Sequence, residues 1–180
     1  MTLFSNDVAA INSCKEIKSK DIIILPGVGN AYSVSKFLEK NGYFEEIKEF
    51  ENKNKKIIGI CLGMQMLFKD LNEGGSSKGL GFFSSEVLEI SKISKLKTNI
   101  GWRKIKSVDK NFLENENYYY FCHSYYVNIN DEDYSFLKCV TEENPRIPAI
   151  IHKNNIFGLQ FHPEKSQKKG ITLIKKFLEF

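Results

Sequence analysis

Short runs of β-branched residues alternate with segments of helical spacing in the first part of the chain. DIIIL (residues 21–25) closes on PGVGN, and KKIIGI (residues 55–60) is a second such run. Continuous apolar runs of this length are typical of strands that are buried on both faces of a parallel sheet. Helical spacing extends over residues 31–56 with one break at Asn41-Gly42, and LGMQMLFKDL (residues 62–71) is rich in helix formers. This order predicts a parallel sheet covered by helices.

The second half of the chain has a different pattern. NEGGSSKGLGF (residues 72–82) predicts a glycine-rich loop, and the segments after it predict successive strands: FFSSEVLEI, KTNIGWRKIKSV, NYYYFCHSYYVNI, SFLKCVTEE, IPAIIHK and IFGLQF. HKNNIF predicts a hairpin turn between the last two strands. GITLIKKFLEF has helical spacing and predicts a helix that packs back on the sheet. We therefore expect residues 1–180 to form a single α/β domain with an additional region of strands.

The composition fits a soluble globular protein, with 42% hydrophobic and 27% charged residues. No apolar run is long enough to span a membrane, and the start MTLFSNDVAA lacks the pattern of a signal peptide. We therefore expect a cytoplasmic protein that does not bind membranes. The net charge of +4 is mild, the lysines are spread along the chain, and the aromatic residues are not interleaved with them. Nucleic-acid binding is therefore not expected.

The four cysteines, Cys14, Cys61, Cys122 and Cys139, include no pair with CxxC spacing. A zinc site, any other metal site or a redox motif is therefore not expected, and the thiols should be reduced in the cytoplasm. We expect Cys14, Cys122 and Cys139 to behave as small buried hydrophobic residues. Cys61 differs because it lies in Gly59-Ile60-Cys61-Leu62-Gly63, between a predicted strand and a predicted helix.

A strand, a Gly-x-Cys-x-Gly segment and a helix together form the layout of a nucleophile elbow. The glycines allow a tight turn and a close approach of the helix to the strand, so the thiol of Cys61 would be held on a strained corner. The positive end of the following helix would favour the thiolate, and the backbone amide of Leu62 would stabilise an oxyanion. The alternative reading of this segment is a buried structural cysteine that happens to lie between two glycines.

A cysteine nucleophile needs a base and an orienting group, and His162 is the strongest candidate for the base. His162 follows the apolar strand IFGLQF, and catalytic residues gather at strand ends in parallel sheets. Glu164 follows through the rigid Pro163, and a carboxylate there would fix the tautomer of the imidazole. Taken alone, His-Pro-Glu is also compatible with a simple turn. We expect His123 and His152 to have structural roles instead.

These segments carry a family resemblance. GICLGMQMLF together with GLQFHPEKSQ resembles the class I glutamine amidotransferases, which use a Cys-His-Glu triad. LPGVGNA, NEGGSSKGLGF, IGWRKI and YYYFCHSYYV are similar to the glutaminase subunits of imidazole glycerol phosphate synthases, which act in histidine biosynthesis. The resemblance implies a flavodoxin-like, mostly parallel sheet flanked by helices, with an additional antiparallel strand region.

The resemblance also implies a role for each member of the triad. Cys61 would attack the side-chain amide of glutamine and form a glutamyl thioester. His162 would protonate the leaving ammonia and then activate water, and Glu164 would orient His162. No cofactor is implied.

Further residues match positions that surround the substrate in the family. Leu62 and a backbone amide of Gly27-Val28-Gly29, from Val28 or Gly29, would form the oxyanion hole after a peptide rotation that glycines make easy. The residues that match substrate-binding positions are Gln65, Glu73, Ser124 and Tyr125. Gln65 and Glu73 would hold the amino-acid end of glutamine, whereas the simpler readings are a solvent-facing helix residue and a loop charge.

A subunit of this kind produces ammonia but does not use it. The resemblance implies a heterodimer with a (β/α)8-barrel cyclase subunit, through which ammonia would pass to form imidazole glycerol phosphate and AICAR. Glutaminase activity in the family is low until the barrel binds its own ligand, which agrees with a loop that must switch.

The sequence departs from the family pattern at two places. The family opens with a further strand and helix, whereas this chain begins near the short run TLF (residues 2–4), so the first βα unit is expected to be missing and a sheet edge to be open. Thr98 and Asn99 stand where the family has Pro-His. These departures leave two alternatives open: a related ammonia donor for amidation of a bacterial surface sugar, and a regulatory subunit without catalysis.

Overall fold

The computed structural model describes residues 8–108, 112 and 117–179, and within them the chain forms two sheets with helices packed on them. The strands are β1 (Ile22–Leu25), β2 (Lys56–Ile60), β3 (Phe68–Leu71), β4 (Ser77–Lys78), β5 (Phe83–Glu89), β6 (Asn99–Ser107), β7 (Asn117–His123), β8 (Tyr125–Asn128), β9 (Leu137–Thr141), β10 (Pro148–Lys153) and β11 (Ile156–Leu159). The α-helices are α1 (Ala31–Lys40), α2 (Tyr43–Asn52), α3 (Leu62–Gln65) and α4 (Gln167–Glu179). The TLF run lies outside the described residues.

The larger sheet has seven strands in the order β1-β2-β11-β10-β9-β6-β7. Both β1 and β11 pair with β2 in parallel, which confirms the parallel strands predicted from DIIIL and KKIIGI. The pairs from β11 onwards to β7 are antiparallel, so the additional strand region continues the same sheet. The predicted α/β architecture is therefore confirmed, with its parallel part formed by three strands.

Helices cover both faces of this sheet because its central strands are apolar on both sides. Ile57 and Ile58 of β2 are both fully buried, and they belong to separate hydrophobic clusters on opposite faces. The first cluster includes Phe50 of α2, and the second includes Phe177 of α4. The burial of neighbouring residues on opposite faces explains why the strands read as continuous apolar runs.

The smaller sheet corrects one sequence-based expectation. LGMQMLFKDL is not one helix, since α3 has only four residues and the segment continues as β3. Phe68 and Leu71 of β3 are fully buried, and the Phe68 ring stacks on Phe83 of β5 with centroids 4.9 Å apart. Burial against a neighbouring strand therefore outweighs the helix propensity of this segment. The sheet has the order β4-β3-β5-β8, and β4 lies in the predicted glycine-rich loop.

The segment NYYYFCHSYYVNI is likewise two strands rather than one. The strand β7 pairs with β6 in the larger sheet, and β8 pairs with β5 in the smaller sheet. The chain therefore passes from one sheet to the other at Ser124. Cys122 faces outward from β7 and is exposed, and Cys14 is only half-buried, so the expectation of buried hydrophobic cysteines holds for Cys139 alone among these three.

The remaining elements agree with the sequence-based predictions. The helical stretch breaks at Gly42, which has a φ of 72° between α1 and α2. Lys153 pairs with Ile156 across a two-residue hairpin turn, and α4 packs on the sheet through a buried face. Within the described residues, no helix has the length and apolar character needed to cross a membrane.

Candidate active site

Cys61 occupies a strained corner directly after β2. Its φ of 51° and ψ of −106° are unusual for a residue with a side chain, as expected for a nucleophile elbow. The flanking glycines are required by close packing. A Cβ atom at Gly63 would lie 2.0 Å from the Leu25 carbonyl oxygen, and one at Gly59 would lie 2.5 Å from the Gly63 carbonyl oxygen. The predicted elbow is therefore confirmed.

The helix that follows Cys61 is much shorter than predicted. The four residues of α3 supply one turn, so the support that a long helix dipole would give a thiolate is small here. Other groups surround the sulfur instead. The Cys122 carbonyl oxygen lies 3.9 Å from Sγ and the Gln160 Nε2 atom lies 3.8 Å from it.

His162 lies just beyond β11, with its side chain buried near Cys61. The backbone fixes its position, since the His162 amide donates to the Tyr120 carbonyl at 2.8 Å and the Ser166 hydroxyl donates to the His162 carbonyl at 2.6 Å. Its Nδ1 atom donates to Glu164 Oε1 at 2.7 Å. This bond leaves the other ring nitrogen for Cys61, whose thiol is close enough to raise the pKa of His162.

The electrostatic surroundings of His162 favour the imidazolium. The hydrogen bond with Cys61 and then the bond with Glu164 raise the pKa of His162 to about 9, although burial lowers it. Burial opposes ionisation of Glu164, but the hydrogen bond and charge of His162 outweigh it, and the pKa of Glu164 falls below its usual value. At neutral pH, His162 is therefore a charged proton donor beside the sulfur.

The Gly27-Val28-Gly29 loop is packed against the nucleophile. A Cβ atom at Gly27 would lie 2.2 Å from the Ile60 carbonyl oxygen and 2.6 Å from the Cys61 Cβ atom. Gly29 has a φ of 115°, a conformation that side chains rarely allow. The loop therefore packs closely against the elbow, and its three residues line the same cavity as Cys61.

Gln65 and Glu73 have defined internal partners. Gln65 is buried, and its Nε2 atom donates to the Tyr125 carbonyl at 3.0 Å. Glu73 Oε2 accepts from the Ala31 amide at 2.9 Å, where α1 begins. The simpler reading of Gln65 as a solvent-facing helix residue is therefore wrong, whereas Glu73 is a loop charge that is attached to the start of α1.

One cavity of about 240 Å³ brings these groups together. Of the site residues predicted from the sequence, Glu164 lies behind His162, and the others line the cavity: Cys61, His162, Leu62, Val28, Gly29, Gln65, Glu73, Ser124 and Tyr125. Cys122, His123 and Lys165 also line it and were not predicted. The positions of Cys122 and His123 beside Ser124 were the only sequence signal for them. Lys165 follows the His-Pro-Glu segment directly.

The other histidines have structural surroundings. His123 Nδ1 donates to the Tyr125 carbonyl at 2.6 Å, and Nε2 lies 3.0 Å from Asn99 Nδ2. Burial lowers the pKa of His123 to about 4, despite the bond to Tyr125. His152 stacks on Phe157 with centroids 4.2 Å apart. In the ranges that the structure describes, no group of three or more His, Cys, Asp or Glu residues could hold a metal ion.

Comparisons with known proteins agree with this arrangement. Residues 1–179 match the family described as glutamine amidotransferase class-I. The chain is 43% identical over 177 residues to the imidazole glycerol phosphate synthase subunit HisH of Caldanaerobacter subterraneus, a match that covers 96% of this chain and 86% of that protein. It is 39% identical over 176 residues to the HisH subunit of Methanocaldococcus jannaschii, a match that covers 96% of this chain and 87% of that protein.

Solved structures show the same fold at low sequence identity. A crystal structure of a glutamine amidotransferase aligns with a TM-score of 0.73 at 15% identity, covering 94% of this chain and 83% of that one. The PurLQS structure from Thermotoga maritima aligns with a TM-score of 0.64 at 20% identity, covering 88% of this chain and 80% of that one. The chain belongs to the class-I glutamine amidotransferases, in the family of the HisH subunits of imidazole glycerol phosphate synthase.

Proposed function

We propose that this chain hydrolyses glutamine to glutamate and ammonia and supplies the ammonia to a (β/α)8-barrel cyclase subunit. The observation that carries the proposal is that Cys61 and His162 line one cavity, where the imidazole is bonded to Glu164 and the thiol raises its pKa. A thiol, an imidazole and a carboxylate in this order form the arrangement of a nucleophile, a general acid–base and an orienting group.

In the first half of the reaction, the Cys61 sulfur attacks the side-chain amide carbon of glutamine. The carbonyl oxygen becomes an oxyanion, which the Leu62 amide and an amide of the Val28-Gly29 segment stabilise. His162 donates its proton to the amide nitrogen, the carbon–nitrogen bond breaks, and ammonia leaves. The product is a glutamyl thioester on Cys61 beside a neutral imidazole.

In the second half, the neutral His162 removes a proton from a water molecule. The resulting hydroxide attacks the thioester carbon, and the same amides hold the second oxyanion. The carbon–sulfur bond breaks, glutamate leaves, and the thiolate again faces the imidazolium. Glu164 keeps its bond to Nδ1 in both halves, so the other ring nitrogen carries every proton transfer.

The amino-acid end of glutamine meets acceptors in the cavity. The Gln65 Nε2 atom already donates to the Tyr125 carbonyl and to Gln160 Oε1, so the remaining atom, Oε1, is an acceptor for the substrate ammonium. The Glu73 carboxylate, anchored through one oxygen at Ala31, supplies the opposite charge. Ser124 and Tyr125 form the wall between the two sheets.

The names of the relatives support the histidine pathway and a cyclase partner in a heterodimer. The alternative of surface-sugar amidation rests on Thr98 and Asn99, and Asn99 has an internal role here, because it bonds to His123 and Arg103. We infer that the complex works in the cytoplasm, as a single amidotransferase domain bound to the barrel.

The test combines this chain with a HisF-type barrel subunit and the nucleotide substrate of that barrel. We expect co-purification, glutamate release that rises when the nucleotide is added, and imidazole glycerol phosphate in equal amount. Glutamate release without that product would support the surface-sugar alternative. No glutamate release under saturating conditions would support the non-catalytic alternative and contradict the proposal.

Glu164→Gln is expected to shift the pH dependence of glutamate release. His162 keeps its proton until the pH approaches its pKa of about 9, so the rate in the complex should fall on the alkaline side near that value. Loss of the Glu164 charge lowers the pKa of His162, and the alkaline midpoint should move down by about one pH unit. Glu142→Gln, at an exposed ion pair with Lys104, is the control and should leave the midpoint unchanged. An unchanged midpoint in Glu164→Gln would contradict the assigned orienting role.

A further inference from the structure

Gln160 is a fully buried polar residue whose side chain reaches the nucleophile from behind the cavity. It directly follows β11, and its backbone amide donates to the Ala149 carbonyl at 3.0 Å. Its Nε2 atom lies 3.8 Å from Cys61 Sγ, and its Oε1 atom accepts from Gln65 Nε2 at 3.2 Å. None of the reaction steps uses the Gln160 side chain directly.

The direction of these hydrogen bonds is fixed by a backbone carbonyl. The Tyr125 oxygen can only accept, so the Gln65 atom that faces it at 3.0 Å must be the nitrogen. The same nitrogen faces the Gln160 side chain, which must therefore present its oxygen. The Gln160 nitrogen is then turned toward the Cys61 sulfur. The orientation of the Gln160 amide at Cys61 is therefore set by the Tyr125 carbonyl, to which Gln65 connects it.

A second series of hydrogen bonds starts from the Tyr125 carbonyl, and its donors and acceptors are fixed in the same way. His123 Nδ1 donates to the Tyr125 oxygen, so its Nε2 atom must accept from Asn99 Nδ2. Asn99 then presents Oδ1 to Arg103 Nε, which lies 2.9 Å away and can only donate. The Tyr125 carbonyl can only accept and Arg103 Nε can only donate, so together they fix the direction of each hydrogen bond between them.

The sulfur of Cys61 has contacts that favour different protonation states. The Cys122 carbonyl at 3.9 Å can accept a bond from the thiol but repels the thiolate. An amide donor such as Gln160 Nε2 favours the thiolate, because hydrogen bonds to ionised acceptors are the stronger ones. The single turn of α3 adds little support of its own.

We propose that Gln160 is a positioning residue that donates a hydrogen bond to the Cys61 sulfur, fixes its direction and favours its thiolate form. Gln65 contributes by keeping the donor end of Gln160 toward the sulfur. The proposal rests on the proposed function only in taking Cys61 as the reactive thiol. It assigns Gln65 a second role beside that of a substrate acceptor.

The test measures alkylation of the intact protein by iodoacetamide at neutral pH, with the modified cysteines separated by peptide mass spectrometry. This readout needs no glutamine and no partner, so it is independent of whether the chain proves to be a glutaminase. Gln160→Met keeps the length of the side chain and removes the donor. We expect alkylation of Cys61 to slow about tenfold, because the variant loses one hydrogen bond that favours the reactive thiolate. Cys14, which is half-buried and lies outside the cavity, is the internal control, and its rate should not change.

Gln65→Met provides a second variant, since its side chain does not bond to the sulfur. Without the Gln65 donor, the Gln160 amide is free to turn its oxygen toward Cys61, so alkylation of Cys61 should slow here too. A merely structural role would lower the melting temperature without changing the ratio of Cys61 to Cys14 alkylation. An unchanged ratio in Gln160→Met overturns the proposal. If Gln160→Met does not fold, the ratio in Gln65→Met decides by the same criterion.

Discussion

Cys61→Ala is expected to abolish glutamate release by the complex with the barrel subunit. The substitution removes the sulfur that attacks the amide, and His162 cannot replace it, because its second ring nitrogen faces the vacated sulfur position. Loss of a nucleophile of this kind lowers turnover by on the order of 10⁴-fold or more. The measurement is glutamate formed at saturating glutamine and barrel ligand.

Cys14→Ala is the matched control for this variant. Cys14 is half-buried and lies outside the cavity, so the control should keep its full rate of glutamate release. Both variants should melt like the parent protein within a few degrees, because each loses one small side chain. Substantial glutamate release by Cys61→Ala would show that another group carries the reaction.

Gly63→Ala is expected to disrupt the elbow itself. The new Cβ atom would lie 2.0 Å from the Leu25 carbonyl oxygen and 2.6 Å from the Leu25 carbonyl carbon, so β1 and α3 would have to separate. Overpacking against the Leu25 backbone is expected to lower the free energy of unfolding by about 3 kcal/mol. The same movement displaces the Leu62 amide and Cys61, so glutamate release should fall as well. Denaturant unfolding and the glutamate assay measure the two effects.

Gly81→Ala separates the collision from simple backbone strain. Gly81 has a φ of 74°, but a Cβ atom there would meet nothing within 4 Å. Its replacement should lower the free energy of unfolding by only about 1 kcal/mol, the cost of a left-handed conformation. Equal losses in the two variants would contradict the assignment of Gly63 to close packing.

The central strands and the elbow were predictable because their signals are local. The apolar runs at β1 and β2 reflect burial on both faces, and the Gly-x-Cys-x-Gly spacing reflects a turn that fits only without side chains at Gly59 and Gly63. Strands of a parallel sheet end at the same edge, so Cys61 after β2 and His162 after β11 were expected to meet there, whereas the loop after β1 was placed with them by the family resemblance. The cavity contains residues from all three of these segments.

The elements that were predicted wrongly depend on contacts between distant parts of the chain. Residues 68–71 have good helix propensity, but Phe68 becomes part of a strand because Phe83 lies opposite it. The division of YYYFCHSYYV at Ser124 depends on two different sheets, and alternation along one strand cannot reveal it. Gln160 could not be assigned to the site from the sequence for the same reason, since its partners Cys61 and Gln65 are 99 and 95 residues away.

The covalent bond between Cys61 and glutamine is the central step of the proposed reaction. A diazoketone analogue of glutamine, incubated with the complex and followed by peptide mass spectrometry, tests this directly. We predict one adduct, on Cys61, which excess glutamine prevents. An adduct on Cys122, the other cysteine that lines the cavity, or continued glutamate release without an adduct on Cys61, would contradict the account.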